Sequence, residues 1–542
     1  MRKVLPTVLL SLIMAAAMAS LGTAALAQDI EPQRGGRLEL VALNDPRTLD
    51  NNQAVDTIEY NTVAGALYEG LYHFTPEGVL EAGLATDMPA ISDDRLVYTF
   101  TLEPGAMFAG PDFEAREVTA ADVAYGMTRA LDPSPDGAPG PSWGSGYLFA
   151  IKGAAAFNAG EADSVAGIEV IDDETLQVTL ESPTTTFLLG LTIATSWPVP
   201  PEAVAERGED FANRPVGAGP FYVAEWNKGS DLTLARNEGY VDPELPYLEE
   251  IHVDLAVDEN TQVLRLESGQ ADGAYEPFSI GPAGLRTLQQ NPDVTVEASV
   301  GPRIYYIALE YGGILGDRDL RLAVAHAVTR DFTAQFGDLA KPWNQLMGSA
   351  TEQSDPAGTR IYPYDTEAAR GYLESGAYDG TPVKIIYDVG DPYASANATA
   401  LRQDLETVGF SVELTGLQTG EFFTAVYEPD RRDLSSTYWS ADYPDAQDYI
   451  ATNFVCGSFL NISHFCDEDI DAAFYATESM AFGPERDSAL LGVQQRLIDE
   501  VAGIPVMEVT PQVVHGQRVG AMPTLATYAP YDWKRAWVKA DG

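Results

Sequence analysis

The stretch TYWSADYPDAQDY, residues 437–449, sets four aromatic side chains and three aspartates in thirteen positions. Carboxylates among rings can work as a general acid/base pair, as part of a metal cage, or as a grip on a cationic ligand. A metal cage needs further ligands at short spacing. The five histidines, at 73, 252, 326, 464 and 515, form no such cluster, so neither a metal nor another cofactor is expected. An exported hydrolase with a glycosidase-type acid pair is the alternative from another class. Against it, the sequence holds no nucleophile elbow and no HExxH. Cys456, His464 and Cys466 lack a fourth zinc ligand. The two cysteines are therefore expected to form one disulfide, Cys456–Cys466, in an oxidising compartment. A grip on a cation is the third possibility.

What must hold such a grip is a strand-helix alternation upstream. Residues 382–388 read as a strand and 395–408 as a helix, with Leu401, Leu405 and Val408 inward, Ser395 as cap and Gly409 as terminator. A strand at 410–414, a helix at 421–427 and a strand at 434–439 follow. This order implies parallel pairing with right-handed crossovers. Ligands of open sheets bind beyond the carboxyl ends of the strands, which is where residues 440–445 fall. Earlier in the chain, 36–43 reads as a strand and 57–71 as a helix. RLVYTFTLEPGAMF reads as two short strands around a turn, and VTAADVAYGMTRALDP as a helix capped by Thr119 with Asp122 three residues on. A loop rich in Gly, Pro and Ser at 132–146 follows that helix. Residues 167–181 and the run VGAGPFYVAEWNKGSDLTLARNEGY read as hairpins. DLRLAVAHAVTR carries Leu320, Ala323, Val324, Ala327 and Val328 on one helical face. Near the end, the strand expected at 504–509 is placed to return the chain to the first lobe, which suits a hinge.

Charge and termini narrow the function further. The chain carries 81 acidic against 32 basic side chains, a formal charge of −49. Such a surface repels nucleic acid and anionic lipid, and nucleic-acid binding is excluded as a role. Arg2 and Lys3, the apolar run 4–19 and the small-x-small Ala25-Leu26-Ala27 read as a cleaved export signal covering residues 1–27. The remainder holds no apolar run of spanning length and is expected to be a soluble, periplasmic protein of two or three domains.

In order along the chain, "TLD" at 48–50, "YEGL" at 68–71, "YTFTLEPGAMFAG" with the helix that follows, "RPVGAGPFYVAEWNKGSDLTLARNEGY", "PYLEEIHVDLAVDENTQVLRLESGQADG" and "DLRLAVAHAVTRD" together resemble the extracytoplasmic solute-binding proteins of family 5, the peptide/nickel class that feeds ATP-binding-cassette importers. The resemblance implies an α/β fold of two hinged lobes, a type II periplasmic binding protein with an extra subdomain inserted in the first lobe. It divides the chain into the signal at 1–27, lobe I at 28–72, 185–278 and 508–542, the insert at 73–184 and lobe II at 279–507. It implies a peptide ligand, an inner-membrane permease as partner and a monomeric receptor, with an oligosaccharide, an opine or a nickel chelate as alternative solutes. The Trp-x-x-Asp segment of peptide binders maps onto Trp439 and Asp442, with Asp442 set against the ligand's ammonium. Glu69, Tyr438 and Tyr443 are further candidate ligand contacts. Asp445 receives no role. The family's arginine before the tryptophan is missing from LSSTYW, and Arg303 is expected to make a surface ion pair rather than meet a ligand carboxylate.

Overall fold

The computed structural model describes residues 31–54, 57–133, 143–301, 303–458, 460–527 and 530–540. The expected export signal lies outside the described residues, as do residues 134–142 of the expected loop. Two sheets organise the chain. The first has seven strands in the order Val294–Ala298, Gln512–Gly516, Gly273–Ala274, Arg37–Val41, Glu250–Asp254, Asp231–Arg236, Phe221–Asn227. Its centre is parallel, Arg37–Val41 running with both Glu250–Asp254 and Gly273–Ala274. The second has six strands in the order Ala340–Pro342, Gly503–Val509, Arg303–Leu309, Leu434–Ser440, Val383–Asp388, Val412–Leu417. The expected parallel unit is present, because Val383–Asp388 runs with both Val412–Leu417 and Leu434–Ser440.

The strand Arg303–Leu309 explains why RIYYIAL is apolar without alternation. Every residue of it is buried. Tyr305, Ile307 and Leu309 point into a core shared with the helices Arg318–Ala327 and Pro392–Val408. Ile304, Tyr306 and Ala308 point into a second core under the helices Ala446–Asn453, Glu468–Glu478 and Pro484–Asp499. A strand covered on both faces needs no polar side.

Between Ala90 and Thr179 lies a four-stranded antiparallel sheet built on Val97–Thr101 and the hairpin Ile168–Val170/Thr175–Thr179. The helix Ala120–Leu131 packs on it. Its first turn is closed as expected, with the Thr119 backbone N–H donating to Asp122 at 2.9 Å.

Several sequence expectations give way. The second strand expected in RLVYTFTLEPGAMF is absent. Met107, Phe108 and Ala109 send their N–H groups to Gly239, Arg116 and Gly217 respectively, and three separate partners make no ladder. The expected helix at 57–71 ends as a wider π turn at Val63–Leu67, and Tyr68 is already extended. Gly217 and Gly219 of VGAGPF explain the stop, since they let their own backbone press against Leu67. A Cβ on Gly219 would stand 2.4 Å from the Leu67 carbonyl carbon. Asp391, not Ser395, caps the helix Pro392–Val408. Its carboxylate accepts from the Tyr393 and Ala394 N–H groups, and Pro392 occupies the first turn, an Asp-Pro start that outranks a later serine. Strand and helix at 410–414 and 421–427 shift to Val412–Leu417 and Thr419–Ala425.

The strand Gly503–Val509 stays in the second sheet, and the return to the first is made by Gln512–Gly516. Val294–Ala298 likewise belongs to the first sheet. By sheet membership the chain leaves the first sheet after Ala298 for the second at Arg303, and returns to it between Val509 and Gln512.

Cys456 and Cys466 are joined, ten residues apart. Closing a loop of this size removes about 2–3 kcal/mol of chain entropy from the unfolded state. The Cys456→Ser/Cys466→Ser variant is therefore expected to lose that much stability in urea-unfolding measurements.

Candidate functional site

The turn after Leu434–Ser440 is held by Asp445. Its Oδ1 accepts from the Gln447 N–H at 2.9 Å and caps the helix Ala446–Asn453. The same carboxylate takes a bidentate pair of hydrogen bonds from the wholly buried Arg486, at 2.7 and 2.8 Å. This anchor turns the first helical turn back toward the strand end and brings Asp448 against Asp442. The Asp442 N–H donates to Asp448 Oδ2 at 3.2 Å, and Trp439 Nε1 donates to the same oxygen at 3.0 Å. From the other lobe, the Tyr147 hydroxyl donates to Asp442 Oδ2 and reaches Asp448 Oδ1 at 3.2 Å.

Both carboxyl groups are buried, with 7 % of Asp442 and none of Asp448 exposed. Among the described residues, no lysine, arginine or histidine stands within ion-pairing distance of either. Burial pushes the Asp442 carboxyl up to about 7, against the smaller pull of its hydrogen bonds from Tyr147 and Asp448. Burial and then the Asp442 charge push the Asp448 carboxyl up as well. Two adjacent carboxylates without a cation cannot both ionise cheaply, so the pair holds a proton in common. Burial and the Asp442 charge also raise the Tyr147 hydroxyl, which keeps it a donor.

Asp442 borders a small cavity of about 60 Å³ between the lobes, together with Tyr60, Glu69, His73, Thr527 and Lys534. The two basic groups in that wall are both spent on Glu69. His73 Nδ1 lies 3.1 Å from Glu69 Oε1 and Lys534 Nζ lies 3.6 Å from Oε2, where the Tyr240 hydroxyl also donates. Burial alone would raise Glu69, but Lys534, His73 and these hydrogen bonds outweigh it and hold the carboxyl well below its ordinary range. Glu69 is thus an inward, satisfied anion at the edge of the cavity.

The remaining candidates separate. Tyr443 is buried with Phe74 and Ile193 of the other lobe, its ring edge-on to Tyr147 at 5.7 Å. It joins the lobes beside the cavity. Tyr438 and Trp439 leave opposite faces of one strand. Trp439 holds Asp448, whereas Tyr438 borders a second inter-lobe cavity, of about 260 Å³, with Arg303 and Tyr305. Arg303 is not on the surface, as expected from sequence, but 94 % buried, being 6 % exposed. Asp448 went unread in the sequence because an acid in the first turn of a helix is ordinary dipole complementarity. Tyr147 left no signal, lying 295 residues from its partner.

Three comparisons bear on this site. The description "Bacterial extracellular solute-binding proteins, family 5 Middle" matches residues 79–461. A curated relative, di/tripeptide-binding protein 2 of Pseudomonas aeruginosa (strain UCBPP-PA14), is 26% identical over 485 residues, covering 84% of this chain and 86% of its own. Among solved structures, the periplasmic binding protein DppA from Helicobacter pylori in complex with peptide STSA superposes with a TM-score of 0.81 at 20% identity, over 93% of this chain and 98% of that one. MoaA from A. tumefaciens R10 in complex with mannopinic acid superposes with a TM-score of 0.76 at 22% identity, over 94% and 100%. These two likenesses establish a shared two-lobed fold.

Proposed function

This chain belongs to family 5 of the bacterial extracellular solute-binding proteins, and from that premise we propose that it captures short peptides between its lobes and delivers them to the permease of an ATP-binding-cassette importer. In this reading residues 1–27 are the export signal, the receptor acts as a single chain in the periplasm, and it releases its ligand unaltered. The peptide specificity is supported by relatives such as the di/tripeptide-binding protein named above.

One observation carries the reading: Asp442 borders the inter-lobe space with the buried carboxyl of Asp448 behind it, and among the described residues neither has a basic partner. A ligand ammonium supplies the missing charge. Its charge-assisted hydrogen bonds are roughly twice as strong as neutral ones. At about 4 Å and an effective dielectric near 20, the attraction is on the order of 4 kcal/mol before desolvation. Tyr147 and Tyr443 come from opposite sides of the cleft, so the ammonium is enclosed only when the lobes meet. Closure thereby depends on the guest's charge. Trp439 acts on the ligand through Asp448, which it orients.

The test is calorimetry with alanine peptides of two to five residues, free and N-acetylated. The free amines are expected to bind at least about tenfold tighter, the loss of one charge-assisted contact. Equal affinities would overturn the assignment of the acid pair. Mass spectrometry of the peptides after incubation is expected to recover them intact, and cleavage products would point to the hydrolase instead.

A further inference from the structure

An ammonium held by Asp442 fixes where the ligand's first side chain starts, two covalent bonds from the nitrogen and about 2.5 Å away. Asp442 stands in the wall of the cavity of about 60 Å³ and not in that of the cavity of about 260 Å³. The first side chain therefore enters the smaller space. Liquid water takes about 30 Å³ per molecule, and a dry cavity that admits benzene measures about 150 Å³. The smaller space has room for two water-sized groups, an ammonium and a methyl. A phenyl ring or an isopropyl group exceeds it.

Its walls do not give way. Tyr60, Tyr68, Trp197 and Tyr531 border it, and all four are buried. Each is pinned at its polar end. The Tyr60 hydroxyl accepts from the Ala194 N–H at 3.1 Å, and Tyr68 and Tyr531 donate to the Leu49 and Ala274 carbonyls at 3.0 and 3.2 Å. Trp197 Nε1 donates to the Leu191 carbonyl at 2.9 Å, and its indole backs onto Gly70, where a Cβ would collide with it. A packed, hydrogen-bonded ring swings aside only by leaving a buried polar group unpaired. Phe74 borders the same space and clusters with Tyr443 of the other lobe. A side chain too large for the space would press Phe74 outward and hold the lobes apart, and Tyr147 would lose Asp442. A long basic side chain gains nothing there either. Glu69 and Asp532, the other acids of the wall, are paired with Lys534 and Arg535.

We propose that this cavity is a size limit on the ligand's first residue, so that the receptor selects short peptides beginning with glycine or alanine and rejects those beginning with a branched or aromatic side chain. This deepens the peptide reading above and rests on it. Size is read through closure, because only a small first residue lets the two lobes meet around its ammonium. Leu525 is the wall residue that can be trimmed without disturbing the anchored rings. It is half-buried, and its hydrogen bond to Pro530 runs from its backbone N–H.

Calorimetry on the full chain decides the matter, with tripeptides whose first residue is glycine, alanine, valine or phenylalanine and whose other two are alanine. The glycine- and alanine-led peptides are expected to bind at least about tenfold tighter than the valine- and phenylalanine-led ones, the scale of overpacking a filled pocket. Moving the phenylalanine to the third position is expected to restore most of the loss. Leu525→Ala is expected to narrow the gap between alanine and phenylalanine at the first position by at least about threefold. Equal affinity of the wild type for the alanine- and phenylalanine-led peptides overturns the size limit while leaving the peptide reading intact, and needs no variant to fold. An equal loss with phenylalanine in third place, or an unchanged gap in Leu525→Ala, also overturns it. If none of these tripeptides binds, the peptide reading fails first and the size limit with it.

Discussion

Asp442→Asn is expected to weaken peptide binding by about 10- to 100-fold, the loss of one hydrogen bond to a charged group. The same variant is expected to leave the unliganded protein as stable as the wild type or more so. Asparagine keeps the shape and the partnership with Tyr147, and it removes a buried acid that no basic side chain offsets. A residue that merely shaped the turn would show the opposite pattern, lost stability with binding reduced in proportion. Calorimetry for affinity and thermal unfolding for stability, on one preparation, distinguish the two.

The pH dependence carries a definite sign. Burial raises the Asp442 carboxyl from its ordinary value to about 7 in the folded protein. The native state therefore binds more protons than the unfolded one between about pH 4, the ordinary carboxylate range, and about pH 7. Stability of the unliganded protein falls as pH rises through that window. Affinity for a cationic ligand rises across the same window, because the ammonium must meet an ionised pair and displaces the shared proton. Asp442→Asn is expected to flatten both slopes. Proton release on binding, measured in buffers of different ionisation enthalpy, is the direct check.

Asp445→Ala is expected to cost about 3–5 kcal/mol of stability, the largest loss predicted for a single substitution here. Arg486, none of it exposed, would be left as a buried charge without its bidentate partner. The helix Ala446–Asn453 would lose its cap as well. Since that helix delivers Asp448 to Asp442, ligand affinity is expected to fall along with stability, unlike the pattern for Asp442→Asn. The double variant Asp445→Leu/Arg486→Met removes both charges together and is expected to unfold at a higher urea concentration than Asp445→Ala. If the double variant were the less stable of the two, the ion pair would be a net source of stability and the argument from an orphaned charge would be wrong.

Much of this architecture was legible in the one-dimensional pattern. The apolar stripe of DLRLAVAHAVTR, the capping pair Thr119 and Asp122, and the strand-helix alternation across 382–440 each follow from local periodicity and capping chemistry. Those signals lie within a few residues of what they control. The end of a parallel-sheet strand pointed to residues 440–445 as the place for a ligand, and the family resemblance picked out Asp442 among them. Where reading failed locally, a rival signal of equal strength was present. Asp391-Pro392 outcompeted Ser395 for the cap, and the glycines of VGAGPF ended a helix 150 residues away in sequence.

The sequence by itself determined the α/β alternation, because hydrophobic spacing and turn chemistry are written along the chain, and its family resemblance implied the two lobes and pointed to Asp442. Only the tertiary structure decided that Asp448 and Tyr147 join that acid, that Glu69 is already neutralised by Lys534 and His73, and that Arg303 is stacked and buried rather than exposed. Each of these depends on which distant side chains share a low-dielectric space, and the energy of a charge there is set by its neighbours in three dimensions, which no spacing along the chain encodes.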